Sequence, residues 1–472
     1  MTGVRLFMPV PTARAVEQTP SDRDRVVDAA RALSLVVVVA GHSIMAVVAW
    51  VDGAPRLGNL LAAFPWTQAL TWVFQVMPLF FFAGGAANTL SWDRHAARSS
   101  SYAAWLWARA SRLLRPALVY LVVMSVIATL VTIVAPTRVA EPLMVLVTQL
   151  LWFLGAYLLV TALTPLFRAR TAVHGAVAAL ALVAATGLVD AARFFWGFPE
   201  VVGLVNFVLV WTVPAYLGSL RGRGMSGRYP GWVLWLVVTG ALAMNALLIH
   251  FGPWPVSMVG MPGEPVSNMA PPTVVLAVHS VVLASLLTLA SGPLARFLDR
   301  PAAWRPVTGV NLVAMTLYLW HLPVLIAVTV VSHALRIDRP IGVDSQGFPV
   351  PDGWGYAWGS VLFWSVYGVG VWAVVRLMWP FEHMPLIWWD SPPSTASPGP
   401  RVAAWAAAIG TAGVGVSTLV LSATGLAGFP TQVVHYAGVP LNSATAIALL
   451  VCSGALIRWA GATRDVGPPT ER

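Results

Sequence analysis

Lysine is absent from this chain: all 28 basic residues are arginines, which removes lysine Schiff-base chemistry. There is a single cysteine, Cys452. An intramolecular disulfide and a cysteine-built metal site are therefore both excluded. In its apolar run, Cys452 reads as a small packing residue. Charge is scarce, with 10% of residues charged against 58% hydrophobic, and mean hydropathy is +0.76. An ordinary soluble domain is about a quarter charged. A soluble globular enzyme, a disordered chain and a collagen-like fibre are thus excluded. Acidic residues are rare inside the apolar runs, so no carboxylate proton relay or cation-coupling site is evident. The zinc-protease HExxH, the GxSxG elbow, a Walker loop and a strand-linked GxGxxG are all missing. No secretory leader is visible, because Pro9, Pro11 and Pro20 interrupt the opening stretch.

What the chain has in quantity is hydrophobic length. Across 472 residues, apolar runs recur that are long enough to cross a bilayer core, which takes about 20 residues of helix. Twelve segments are expected: 26–51, 68–90, 113–135, 143–166, 173–190, 201–220, 231–251, 272–291, 307–332, 357–380, 402–425 and 440–460. The fold class is therefore all-α, a polytopic transmembrane helix bundle with a ten-helix core and two further C-terminal helices. Residues 1–21 read as a flexible cytoplasmic arm and 22–391 as the ten-helix membrane domain. Residues 392–400, PPSTASPGP, form a Pro/Ser-rich linker. Residues 401–460 are the C-terminal pair and 461–472 a short cytoplasmic tail. With the N-terminus inside, 23 arginines fall on the cytoplasmic side and only Arg56, Arg138, Arg193, Arg336 and Arg339 on the outer side. This asymmetry places both termini in the cytoplasm of a cell-membrane protein. It also explains the net charge of +10 through anionic lipid headgroups, without a nucleic-acid partner. No internal repeat is visible.

Ionisable groups at membrane depth are functional candidates, because they are costly there. The first helix is expected to start at a Ser21 N-cap, with Asp24 three residues on. Arg31 and His42 are eleven residues apart, which is about 16 Å of helix. They lie within about 20° of one direction, so they share a face with Leu35 and Val38. Asp28 can orient Arg31 as an i,i+3 pair. The bland alternative is a snorkelling Arg31 and a His42 that merely packs between helices. In the second span, MPLFFFAGGAAN (Met77–Asn88) offers a close-packing surface at Gly84 and Gly85, with Asn88 behind it. Arg109, Arg112 and Arg115 follow along one side of the third helix and suit phosphate, or serve as ordinary anchors. LYLWHLPV (Leu317–Val324) places His321 within an apolar span beside Trp320 and Tyr318.

The Arg31-x10-His42 spacing, MPLFFFAGG, the following arginine-rich helix start, LWFLGAYLL (Leu151–Leu159) and LYLWHLPV, in that order, resemble the acyltransferase-3 superfamily over residues 22–380. The resemblance implies a ten-helix integral-membrane core. It also implies transfer of an acyl group, acetyl above all, from cytoplasmic acyl-CoA to a hydroxyl of a glycan, lipid or small molecule. The two helices after the linker are a departure from that pattern. By position, Arg31 and His42 would be catalytic. Arg109 and Arg112 match the family's Arg-x-x-Arg, with Arg112 and Arg115 offering the same spacing, so all three are expected to hold the acyl-CoA donor. His321, Trp152 and Asn88 are expected to contact substrate. No metal is expected. The competing expectation is a transporter or flippase for a lipid or small polar molecule, which the lack of repeats and of intramembrane carboxylates disfavours.

Overall fold

The structure, a computed structural model, describes residues 16, 19–20, 23–98, 101–261, 264–345, 347–384, 387–390, 398–436 and 439–461. Ser21, most of the arm, most of the 392–400 linker and the tail beyond Gly461 lie outside these residues. Among the described residues, twelve helical stretches are long and apolar enough to cross a membrane, and each coincides with one of the twelve expected segments. The chain is a multi-pass, all-α membrane protein, and its described residues include three small hairpins. It divides into two compact units, Met1–Thr89 with Leu166–Met378, and Leu90–Pro165 with Trp379–Arg472.

The first unit opens with α1 (Arg25–Met45). Its N-cap is Asp24, whose carboxylate accepts from the Val26 and Val27 amides; the helix starts later than the expected Ser21 cap. The same carboxylate takes two bonds from Arg221. The first apolar segment was expected to run to residue 51, but helix ends at Met45. The next residues, AVVAWV, are rich in β-branched side chains and pair as β1 (Ala46–Val51) with β2 (Ala54–Asn59). Between them, Asp52 and Gly53 both have positive φ, 50° and 70°, as a two-residue type I′ hairpin loop requires.

The second span is broken. Short turns at Pro65–Leu70 and Thr71–Phe74 precede α2 (Met77–Ala96). Gln75 covers the break by accepting from the Met77 amide and donating to the Met258 carbonyl. Later helices are α3 (Tyr102–Val134), α4 (Thr137–Leu146), α5 (Leu151–Ala162), α6 (Ala172–Phe195), α7 (Asn206–Gly222), α8 (Gly231–Phe251) and α9 (Val274–Leu298). The expected 307–332 span is also divided, into α10 (Pro301–Leu312) and α11 (Ala314–Ala334). A hairpin of β3 (Ile341–Val343) and β4 (Pro349–Pro351) then leads into α12 (Gly353–His383).

Glycines let α2 and α7 touch backbone to backbone. A Cβ on Gly85 would lie 2.0 Å from the Ala215 carbonyl oxygen, and one on Gly218 would lie 1.9 Å from that of Phe82. The close-packing surface read from MPLFFFAGG is this contact. A buried carboxylate, Asp190 on α6, binds together the far ends of three helices. It accepts from the Val274 amide at 2.7 Å, Asn206 at 2.9 Å and Trp254 at 3.3 Å. With three donors it is a structural acid.

In the second unit, α13 (Pro400–Thr424) packs on α5 and on α14 (Ser443–Gly461), which also packs on α3. The turn between α4 and α5 leaves backbone groups open inside a span, and α13 satisfies them. The Trp152 amide donates to Ser422 Oγ at 2.8 Å, Ser422 Oγ to the Thr148 carbonyl at 3.1 Å, and Thr148 Oγ1 to the Leu421 carbonyl at 2.7 Å. The third hairpin, β5 (Val433–Tyr436) with β6 (Val439–Asn442), joins α13 to α14.

Gly85→Ala and Gly218→Ala should each lower the thermal unfolding midpoint of the detergent-solubilised protein, with a cost of about 1–3 kcal/mol from overpacking. Gly240→Ala should leave the midpoint unchanged or raise it, because a Cβ there meets nothing within 4 Å and alanine is the better helix former.

Candidate active site

Two helices of the first unit carry the site. α1 and the divided span α10–α11 meet at two polar contacts, the first between Arg31 of α1 and Asn311 near the end of α10, and both run in the same direction to the second. At the first contact, Arg31 Nε donates to Asn311 Oδ1 at 2.7 Å and Arg31 Nη2 to Asp28 Oδ1 at 3.2 Å. Asn311 Nδ2 closes the ring by donating to the Asp28 carbonyl at 3.0 Å. Asp28 also accepts from Arg23. That bond raises the pKa of Arg23, against the opposing effect of burial. The guanidinium of Arg31 is about a third exposed, and Nη1 is the part not committed to Asn311 or Asp28.

Eleven residues along α1 and ten along α10–α11, His42 Nδ1 and His321 Nε2 stand 2.9 Å apart. The ring planes differ by 3° and the centroids are 5.2 Å apart. That separation is little more than the nitrogen–nitrogen distance plus the two ring radii. The rings therefore lie edge to edge in a common plane, with the nitrogens aimed at each other. Both members of the pair come from apolar helices, where a polar group without a partner is costly.

Hydrogen-bond logic assigns the protons. His321 Nδ1 lies 2.7 Å from the Tyr318 carbonyl and 3.2 Å from that of Leu317. Carbonyls only accept, so Nδ1 carries the proton and Nε2 of the neutral ring carries a lone pair. His42 must then donate from Nδ1, which leaves its own Nε2 unprotonated. His321 is fully buried and His42 is half-buried. The accessible member of the pair thus presents the basic, nucleophilic nitrogen, held in one tautomer by the inaccessible one.

The other expected residues separate. His321, expected to contact substrate, is the partner of His42. Asn88 is buried on α2. Arg109, Arg112 and Arg115 belong to the second unit. There Arg112 is exposed, and Arg115 Nη1 is paired with Asp390 at 3.1 Å. Trp152 is also in the second unit, its amide engaged by Ser422 and its ring set edge-on to Phe153. Asn311 was not anticipated. The available signal was its position ten residues before His321, which nearly repeats the Arg31-to-His42 interval. Among the described residues, no group of three or more His, Cys, Asp or Glu side chains could hold a metal ion.

A family model described as an acyltransferase domain matches residues 24–382. That interval contains Asp28, Arg31, Asn311 and both histidines. No curated protein and no solved structure matches the chain.

The accessibility difference within the pair is directly measurable. Diethylpyrocarbonate treatment followed by peptide mass spectrometry should find His42 modified and His321 unmodified. In a His42→Ala variant, His321 should become reactive, because its Nε2 is then uncovered.

Proposed function

The chain belongs to the acyltransferase-3 family, and from that premise we propose that it moves an acyl group, acetyl in the first instance, from cytoplasmic acyl-CoA to a hydroxyl of a glycan, lipid or small molecule. The enzyme is a membrane acyltransferase; donor, acyl group and acceptor class are our reading. The observation that carries it is the free Nε2 of His42, set in a fixed tautomer about 16 Å of helix beyond Arg31.

Acyl transfer needs a group that takes the hydroxyl proton as the oxygen attacks the thioester carbonyl. His42 Nε2 is suited to that step. The acceptor O–H bond breaks, the new C–O bond forms, and the carbon–sulfur bond then breaks to release the thiol of coenzyme A, which recovers the proton from His42. While His42 is doubly protonated, its Nδ1 continues to donate to His321, so the ring keeps its place. The same lone pair can instead attack the thioester itself and carry the acyl group as an acyl-imidazole before the hydroxyl takes it. An acyl adduct on His42 in rapidly quenched protein would identify that second route.

Arg31 supports donor binding. Asn311 and Asp28 fix two of its nitrogens, and Nη1 suits a phosphate or the pantetheine arm as a charge-assisted donor. The arginines of α3 belong to the second unit, where Arg115 Nη1 is paired with Asp390. The arginine asymmetry supports placing the Arg31 end at the cytoplasmic face of the cell membrane, with both termini on that side.

His42→Ala should abolish transfer from acetyl-CoA in membranes that contain normal amounts of the protein. His321→Ala should lower kcat by about 10²–10⁴-fold, the usual worth of a working general base. Arg31→Ala should chiefly raise the KM for the donor. Transfer at wild-type rate by His42→Ala would overturn the assignment.

A further inference from the structure

The last two turns of α1 carry His42, and their carbonyls are addressed by a row of donors from one direction. Tyr367 Oη donates to the Val39 carbonyl at 3.4 Å, Trp364 Nε1 to that of Ser43 at 3.4 Å, and Arg339 Nη2 to that of Ala46 at 3.0 Å. Val39 and Ser43 are one helical turn apart on α1, and Ala46 is the extended residue that caps it. Tyr367 and Trp364 stand on α12. Arg339 comes from the loop before β3, but α12 holds it too. Its guanidinium lies 4.1 Å from the centroid of Phe363 and 5.1 Å from that of Tyr356, and Nη1 donates to Tyr356 Oη at 3.1 Å.

An arginine at a helix C-terminus is favourable for the helix dipole, and an exposed one would serve that end. Arg339 is only 7% exposed. Burying a guanidinium among aromatic rings is expensive unless its donors are used. Its position is therefore tightly determined by the Ala46 carbonyl, the Tyr356 phenol and the two ring faces. The link to His42 is short, because the Ala46 amide closes the helix by donating to the His42 carbonyl. A single residue thus separates the Arg339 guanidinium from the His42 backbone.

We propose that Arg339 and Tyr367 are positioning residues, which together with Trp364 form a donor rail along α12 that fixes the rotation and height of the end of α1, and so keeps His42 Nδ1 within reach of His321. The inference rests on the acyl-transfer reading of the histidine pair for its kinetic part, and on the geometry alone for its chemical part. A misplacement of about 1 Å at a reacting group can cost up to about 100-fold in rate. Small rotations of α1 are therefore enough to matter.

The test uses the full chain with Tyr367→Phe, Arg339→Gln and Arg339→Lys. Tyr367→Phe and Arg339→Gln should each lower kcat about tenfold, with the donor KM within about twofold of wild type, a fraction of the full misplacement effect. Arg339→Lys should recover part of the loss, because an ammonium still donates to Ala46. In Tyr367→Phe and Arg339→Gln, His321 should also become reactive to diethylpyrocarbonate, since His42 no longer covers it. Wild-type kcat with an unreactive His321 would overturn the inference. So would a fall in kcat matched by a rise in donor KM and a lowered unfolding midpoint, which is the signature of general destabilisation. If His42→Ala keeps transfer activity, the acyl-transfer reading fails by itself, while the His321 reactivity still decides the rail.

Discussion

The arrangement depends on one hydrogen bond, between His42 Nδ1 and His321 Nε2. A hydrogen bond between transmembrane helices contributes only about 0.6 kcal/mol on average. An unsatisfied polar group in hydrocarbon costs several times that, on the order of several kcal/mol. The pair is therefore held less by its attraction than by the cost of separating it. That asymmetry gives α1 and α11 a defined register, because sliding either helix by one residue would strand two imidazoles. The same bond sets the chemistry. The carbonyl of Tyr318 fixes the proton on His321, His321 fixes the proton on His42, and the reactive lone pair is what remains.

The other polar contact, Arg31 with Asn311 and Asp28, makes the register unambiguous. Its partners are 280 residues apart in sequence and those of the histidine pair 279, so the two helices advance together. Two contacts about 16 Å apart along α1 define direction, rotation and height. The donors of α12 and of the loop before β3 then act on the backbone from Val39 to Ala46, where the last carbonyls of the helix would otherwise lack partners. The break before α2, bridged by Gln75, and the break between α4 and α5, bridged by Thr148 and Ser422, follow the same rule. Irregular backbone at membrane depth persists where protein groups satisfy it.

The C-terminal helices show how this rule binds a late segment to an early one. Residues beyond 382 lie outside the matched family model, yet α13 supplies the hydroxyl that takes the Trp152 amide. A Cβ on Gly155 would lie 3.0 Å from the Gly415 Cα, so the helices meet at backbone distance.

By itself the sequence determined the features that depend on local composition and helical period. Twelve spans were legible because hydrophobic length is read one segment at a time. The shared face of Arg31 and His42 was legible because eleven helical steps return to nearly the same direction, and the Asp28–Arg31 pair because i,i+3 neighbours meet within one helix. The end of α1 at Met45 was misjudged although Asp52-Gly53 marks a hairpin, since AVVAWV is as apolar as a span and hydrophobicity does not distinguish the two. Only the tertiary structure decided that His321 faces His42, that Asn311 holds Arg31, and that Arg339 reaches Ala46. Each joins residues hundreds of positions apart, and no periodicity within one helix records which side of another helix it will meet. The pairing emerges only when the helices have packed against one another.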